Sequence, residues 1–268
     1  MSRSAVLAAA VASLGVGLVA GSAVLPAGAS DRIEGGPSRR ADVVFLSHVN
    51  TETMPIFPGD PTPVIDPVAT VAEDGYYLQS VTIGEHSGTH WGAPCHFNEG
   101  EACADDLDAE DFVRPVAVID VRAQVAANPD YALSISDVKS FERRHGKIRR
   151  DSIVIAWTGW DQYWDDPVAY FNADADGVMH YPGIAGDTTR WLIARRNIGG
   201  LGIDTHGVDP GSDDTYETNT TLLHGDRIHL ENLTGLEQMP ANGGFVVVGG
   251  VRNENGSGSP ATIFGFTR

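Results

Sequence analysis

Cysteine is scarce in this chain: Cys95 and Cys103 are the only two among 268 residues. Two cysteines cannot build a disulfide scaffold, so the core must hold by apolar burial. The pair would close a short loop beside His96. A disulfide or two free thiols is expected there, with a metal-binding or nucleophilic cysteine as the alternative. Basic charge is also short. Lys and Arg number 18 against 36 Asp and Glu, for a formal net charge of −18. Such a surface repels nucleic acid and anionic membranes, and no basic patch or RNA-binding motif offsets it. There is no internal repeat and no long linker after residue 40, and the length suits one domain.

Charge is nearly absent from the N-terminus. Arg3 alone precedes an apolar run from Ala5 to Leu25, and Ala27-Gly28-Ala29 follows. This pattern predicts a secretory signal peptide over residues 1–29, with a membrane anchor as the alternative. No twin arginine precedes the apolar run, which points to the general export route. Residues 30–41 are expected to be a flexible lead-in and 42–268 the folded domain, secreted to the medium or the cell envelope and free of the membrane after cleavage.

What the chain has in concentration is histidine. His86-Ser-Gly-Thr-His90-Trp-Gly92-Ala-Pro94-Cys-His96 places three imidazoles within eleven residues. Imidazole is the commonest ligand for zinc-like ions and the side chain best suited to moving protons near neutral pH. Gly88, Gly92 and Pro94 break a helix, so a shaped loop must aim these rings. Around the loop, strands are expected at Asp42 to Ser47, Tyr77 to Ile83, Val113 to Val121, Ser152 to Trp157, Gly200 to Asp204, Arg227 to Leu230 and Gly244 to Val251. Tyr77 to Ile83 alternates like a half-buried strand that delivers its end to His86. Met54 to Pro63 is a proline-rich rim. Helices are expected from a Ser136 cap to His145 and from Asp187 to Asn197, each followed by glycine. Strands interleaved with too few helices for every crossover predict a single α/β domain with a mixed sheet.

With these residues placed, the chain resembles the metal-dependent cyclase-like hydrolases, which include bacterial kynurenine formamidases and isatin hydrolases. Their loop reads H-x-G-T-H-x-D-x-P-x-H, matched here by His86, Gly88, Thr89, His90, Pro94 and His96, with Gly92 where the family has aspartate. Further matches run in family order: Asp60, Trp157-Thr-Gly-Trp160, Tyr181-Pro-Gly183, Gly202-Ile-Asp-Thr205, Leu230-Glu-Asn-Leu233 and Gly258-Ser-Pro260. The resemblance implies a partly barrel-like sheet flanked by a few helices, and a homo-oligomer.

The resemblance further implies that His86, His90 and Glu231 bind one divalent metal, zinc or manganese, and that His96 is the general acid/base. The second metal site of the family is expected to be lost, because its aspartate falls on Gly92 and its histidine on Asn219. Asp204 or Asp209 are candidates for fixing the imidazole tautomers. His206 is read as a loop histidine on the rim, with a replacement ligand or base as the alternative, and His224 and His229 are read as structural. Trp91, Trp157 and Trp160 could line an aromatic pocket or pack the core. The function implied is an exported hydrolase of an amide, lactam or ester bond in a small aromatic or cyclic substrate, arylformamidase-like. Alternatives are a non-catalytic binding protein on a degenerate hydrolase scaffold and a metal-assisted lyase or dehydratase.

Overall fold

A computed structural model describes residues 42–267. The expected signal peptide and lead-in therefore lie outside the described residues. No helix among the described residues is long and apolar enough to cross a membrane. The strands are β1 (Val43–Phe45), β2 (Val64–Ala69), β3 (Leu78–Thr82), β4 (His90–Gly92), β5 (Val113–Asp120), β6 (Ala132–Leu133), β7 (Ile153–Trp157), β8 (Gly183–Ile184), β9 (Gly200–Ile203), β10 (Ile228–Glu231), β11 (Asn242–Val248), β12 (Gly258–Pro260) and β13 (Ile263–Phe266). The helices are α1 (Val71–Asp74), α2 (Arg122–Val125), α3 (Ile135–His145), α4 (Pro167–Phe171), α5 (Gly186–Arg196) and α6 (Glu217–Leu222).

Nine strands make one sheet in the order β1-β13-β11-β5-β7-β9-β10-β4-β12. The four central strands β5, β7, β9 and β10 are parallel, and antiparallel strands flank them on both sides. The fold is thus the expected single α/β domain with a mixed, partly curled sheet. Its two faces follow from the period of two along each strand. Ala117, Ile119, Val154, Ala156, Leu201 and Ile203 meet Val138 and Phe141 of α3 and Leu192 of α5 in one core. The intervening residues Val116, Val118, Ile153 and Ile155 face the second core with Leu46, Trp91, Ile228 and Leu230.

Two local expectations change. Helix α3 starts before Ser136, because Ser134 is the cap and exchanges a capping box with Asp137. The strand expected to be half-buried, now β3, is exposed at every residue. It pairs with β2 in a separate two-stranded ribbon. Alternating apolar residues alone do not bury a strand; a second layer must cover one of its faces.

Phe141 anchors α3 to the sheet and is 2% exposed. Replacing Phe141 with Ala should cost roughly 3–5 kcal/mol in urea unfolding. A loss below about 1 kcal/mol would show that α3 is not held by this contact.

Candidate metal centre

Strand pairing brings the site together. In the antiparallel pair of β10 with β4, Glu231 lies opposite His90 and His229 opposite Gly92. Residues directly opposite share a face, so these side chains rise on one side while Leu230 and Trp91 enter the core on the other. On the far side of β4, Gly258 of β12 pairs with Gly92. The two glycines form a floor without side chains. A Cβ on Gly92 would overlap the His229 ring, and one on Gly258 would come within 2.8 Å of His86 Cε1.

The hydrogen-bond network assigns the tautomer of each imidazole. His90 Nδ1 donates to Gly88 O at 2.9 Å. His229 Nδ1 donates to Asn219 Oδ1 at 2.8 Å. Ser257 Oγ gives its proton to Glu85 Oε2 at 2.8 Å, so it accepts from His86 Nε2 at 2.9 Å. The remaining nitrogens, His86 Nδ1, His90 Nε2 and His229 Nε2, are buried and have no hydrogen-bond partner among the described residues. One ligand atom from each of these three histidines lies within 4.8 Å of the other two. Glu231 adds a carboxylate: its Oε1 accepts the Val208 amide at 2.8 Å. Its Oε2 lies 3.0 Å from His90 Nε2, without the geometry of a hydrogen bond. Three inward lone pairs and an anionic oxygen cost free energy when left unmatched. Together they fit a divalent ion.

The electrostatics agree with that fit. Burial and then the neighbouring His90, His96 and His229 hold His86 far below the usual imidazole range. Burial brings His229 down to about 3, against the opposing pull of Glu231. Burial by itself would raise the Glu231 carboxyl, but His229, His90 and His206 outweigh it and hold it well below the carboxylate range. At neutral pH, His86 and His229 are therefore neutral and Glu231 ionised, the states that metal ligation requires. His96 stacks on His86 at 3.6 Å between ring centroids, and burial also lowers its pKa.

The structure thus brings His86, His90 and Glu231 into one cluster, with His96 beside it. It also places His229, which the sequence suggested was structural, in the middle of that cluster. The available signal was its position two residues from Glu231 on one strand. Neither aspartate proposed to fix tautomers does so. Asp204 accepts the Thr158 hydroxyl at 2.6 Å and the Gly159 amide at 2.6 Å, and burial pushes its pKa up to about 7. Asp209 accepts the amides of Thr218 and Asn219 at 2.6 and 3.0 Å; burial pushes it up to about 6. His224 pairs with Glu101 on the surface. Cys95 and Cys103 form a disulfide.

Above the cluster opens a cavity of 260 Å³ walled by Phe57, Phe97, Tyr181, Tyr216 and His206. Trp91 and Trp160 pack in the cores, and Trp157 lies beneath the Arg122 guanidinium. His206 stacks on Phe57 with ring centroids 5.0 Å apart. Asn232 gives one amide proton to Gly88 O at 2.7 Å and meets His206 Nδ1 at 3.4 Å. Nδ1 of His206 is thus the acceptor and Nε2 carries the proton.

Residues 44–210 match the family described as Cyclase. The chain is 35% identical to isatin hydrolase of Roseibium aggregatum over 67% of its length and 71% of that protein. It is 28% identical to kynurenine formamidase of Bordetella avium over 67% of its length and 76% of that protein. Among solved structures, isatin hydrolase A from Labrenzia aggregata bound to benzyl benzoate superposes with a TM-score of 0.79. That structure has 29% identity and covers 85% of this chain and 94% of its own.

Burial lowers His206 to about 4, whereas an unfolded chain protonates its histidines near 6.5. Unfolding therefore takes up a proton between these values, and stability conferred by neutral His206 is lost as pH falls through that window. In metal-free protein, the stability difference between wild type and His206→Gln should fall by roughly 2–3 kcal/mol from pH 7 to pH 4. Urea titrations of both proteins check this; a difference that stays constant would mean that His206 is not buried as a neutral ring.

Proposed function

The chain belongs to the cyclase family, and on that premise we propose that it is an exported metal-dependent hydrolase of a C–N bond, an amide or lactam, in a small aromatic or cyclic compound. The observation that carries this reading is the convergence of three imidazole lone pairs of fixed tautomer beside an ionised glutamate, at the floor of an aromatic cavity. A divalent ion held by these side chains would supply Lewis acidity towards a carbonyl and bring the ionisation of water towards pH ~7.

The chain's own groups carry the remaining roles. His96 is neutral at pH 7 and lies at the cavity wall, so it can take a proton from the attacking water and return it to the leaving nitrogen as the C–N bond breaks. His206 presents Nε2–H from the aromatic wall and can donate to a substrate oxygen. Phe57, Phe97 and Tyr216 offer ring faces and edges that suit a flat substrate. The names isatin hydrolase and kynurenine formamidase point to the same bond type in small aromatic compounds, and export is supported by the sequence of residues 1–29. An ester is the corresponding substrate with oxygen as leaving atom. A homo-oligomer accords with the family resemblance.

Purified protein should hold close to one equivalent of zinc or manganese, and His90→Ala should hold almost none. His96→Ala should keep the metal while losing about 10²–10⁴-fold in kcat on aryl formamides or lactams. Elemental analysis and steady-state rates read both quantities. Absence of metal from the wild type after reconstitution, or full activity in His96→Ala, would overturn this assignment.

A further inference from the structure

Gly92 and Asn219, at positions where the resemblance implies metal-binding side chains, both meet the same residue, His229. Gly92 lies directly opposite His229 in the β10–β4 pair. Any side chain on Gly92 would occupy the space of the His229 ring. Asn219 Oδ1 accepts from His229 Nδ1 at 2.8 Å, which leaves Nε2 aimed into the cluster and without a partner among the described residues. The Asn219 backbone is itself held by Asp209.

These contacts define one unit of exchange. From them we propose, resting on the hydrolase reading above, that His229 is a metal ligand of this protein, taking the place that the loop carboxylate has in the family. Asn219 acts as the positioning residue that fixes its tautomer. The exchange replaces an oxygen donor with nitrogen, so the metal faces three imidazoles and one carboxylate. Imidazole suits zinc and its late first-row neighbours, whereas carboxylate oxygen suits manganese and magnesium. The site therefore selects zinc-class ions over manganese. Gly92 is the condition for this, since the ring of His229 can reach the cluster only over a residue without a side chain.

The test measures metal binding and does not depend on activity. Full-length wild type, His90→Ala, His229→Ala, Asn219→Ala and the double variant Gly92→Asp/His229→Ala are equilibrated with equimolar zinc and manganese, and bound metal is measured per chain. Wild type should take zinc over manganese by at least tenfold. His229→Ala should lose at least about 100-fold in zinc affinity, and Asn219→Ala about 10–100-fold. The double variant, with its carboxylate restored, should bind again and move its preference at least tenfold towards manganese. X-ray absorption on zinc-loaded wild type, which needs no variant to fold, should count three imidazole ligands. Two imidazoles, or zinc affinity in His229→Ala within about threefold of wild type, would overturn the proposal while leaving the hydrolase reading intact. No metal in the wild type would overturn both.

Discussion

The pairing of β4 with β10 is the constraint on which the site depends. Both strands are short and buried, and side chains alternate strictly along each. A one-residue slip in either strand would exchange Trp91 and Leu230 with the polar set. Bulky apolar residues would then stand in the cavity, and His90, His229 and Glu231 would enter the core. The burial of Trp91 at 1% exposure and Leu230 at 0% fixes the register. The same apolar contacts that stabilise the sheet thereby place Glu231 opposite His90 and His229 opposite Gly92, and β12 adds Gly258 to the same row. Stability and chemistry are set by one pairing.

Burial on this scale is what keeps imidazoles of the cluster neutral. An imidazole in water protonates near 6.5, whereas the buried rings of His206 and His229 stay neutral to about 4 and 3. Their free energy of burial is tolerable only because each has a hydrogen-bond partner at one nitrogen: Asn232 for His206 and Asn219 for His229. Both partners are amides. Asn219 Oδ1 accepts the Nδ1 proton of His229 and so turns the Nε2 lone pair towards the cluster, whereas Asn232 donates to Nδ1 of His206 and leaves the proton of that ring on Nε2. The two amides thus hold the two rings in opposite tautomers.

Much of this was legible in the sequence. The strand runs, the α/β class and the glycine-punctuated histidine loop follow from periodicity and residue chemistry, and β5, β7 and β9 fall within their expected spans. What was not legible depended on contacts between distant segments. The ribbon of β2 and β3 has apolar residues at strand spacing, and only the absence of a covering layer among the described residues distinguishes it from a buried strand. Asp204 sits at the end of a buried strand, as a functional carboxylate would, yet it serves the amides of Thr158, Gly159 and Trp160. The resemblance assigns His229 no role, because its place in the cluster depends on Gly92 and Asn219, distant in sequence, meeting at its ring.

Gly92 and Asn219, at positions where the resemblance implies metal-binding side chains, argue, when taken alone, for a degenerate scaffold that retains a pocket. The geometry weighs against that reading, because the His229 ring fills the space over Gly92 with its Nε2 lone pair directed inward. A decayed site would relieve its buried, unmatched nitrogens by repacking or by pairing them with one another. Here His86 Nδ1, His90 Nε2 and His229 Nε2 all remain without hydrogen-bond partners among the described residues, while their opposite nitrogens are each tied to Ser257, Gly88 or Asn219. Arranging three rings in this way costs desolvation and conformational freedom. A divalent cation bound by the set would offset that cost.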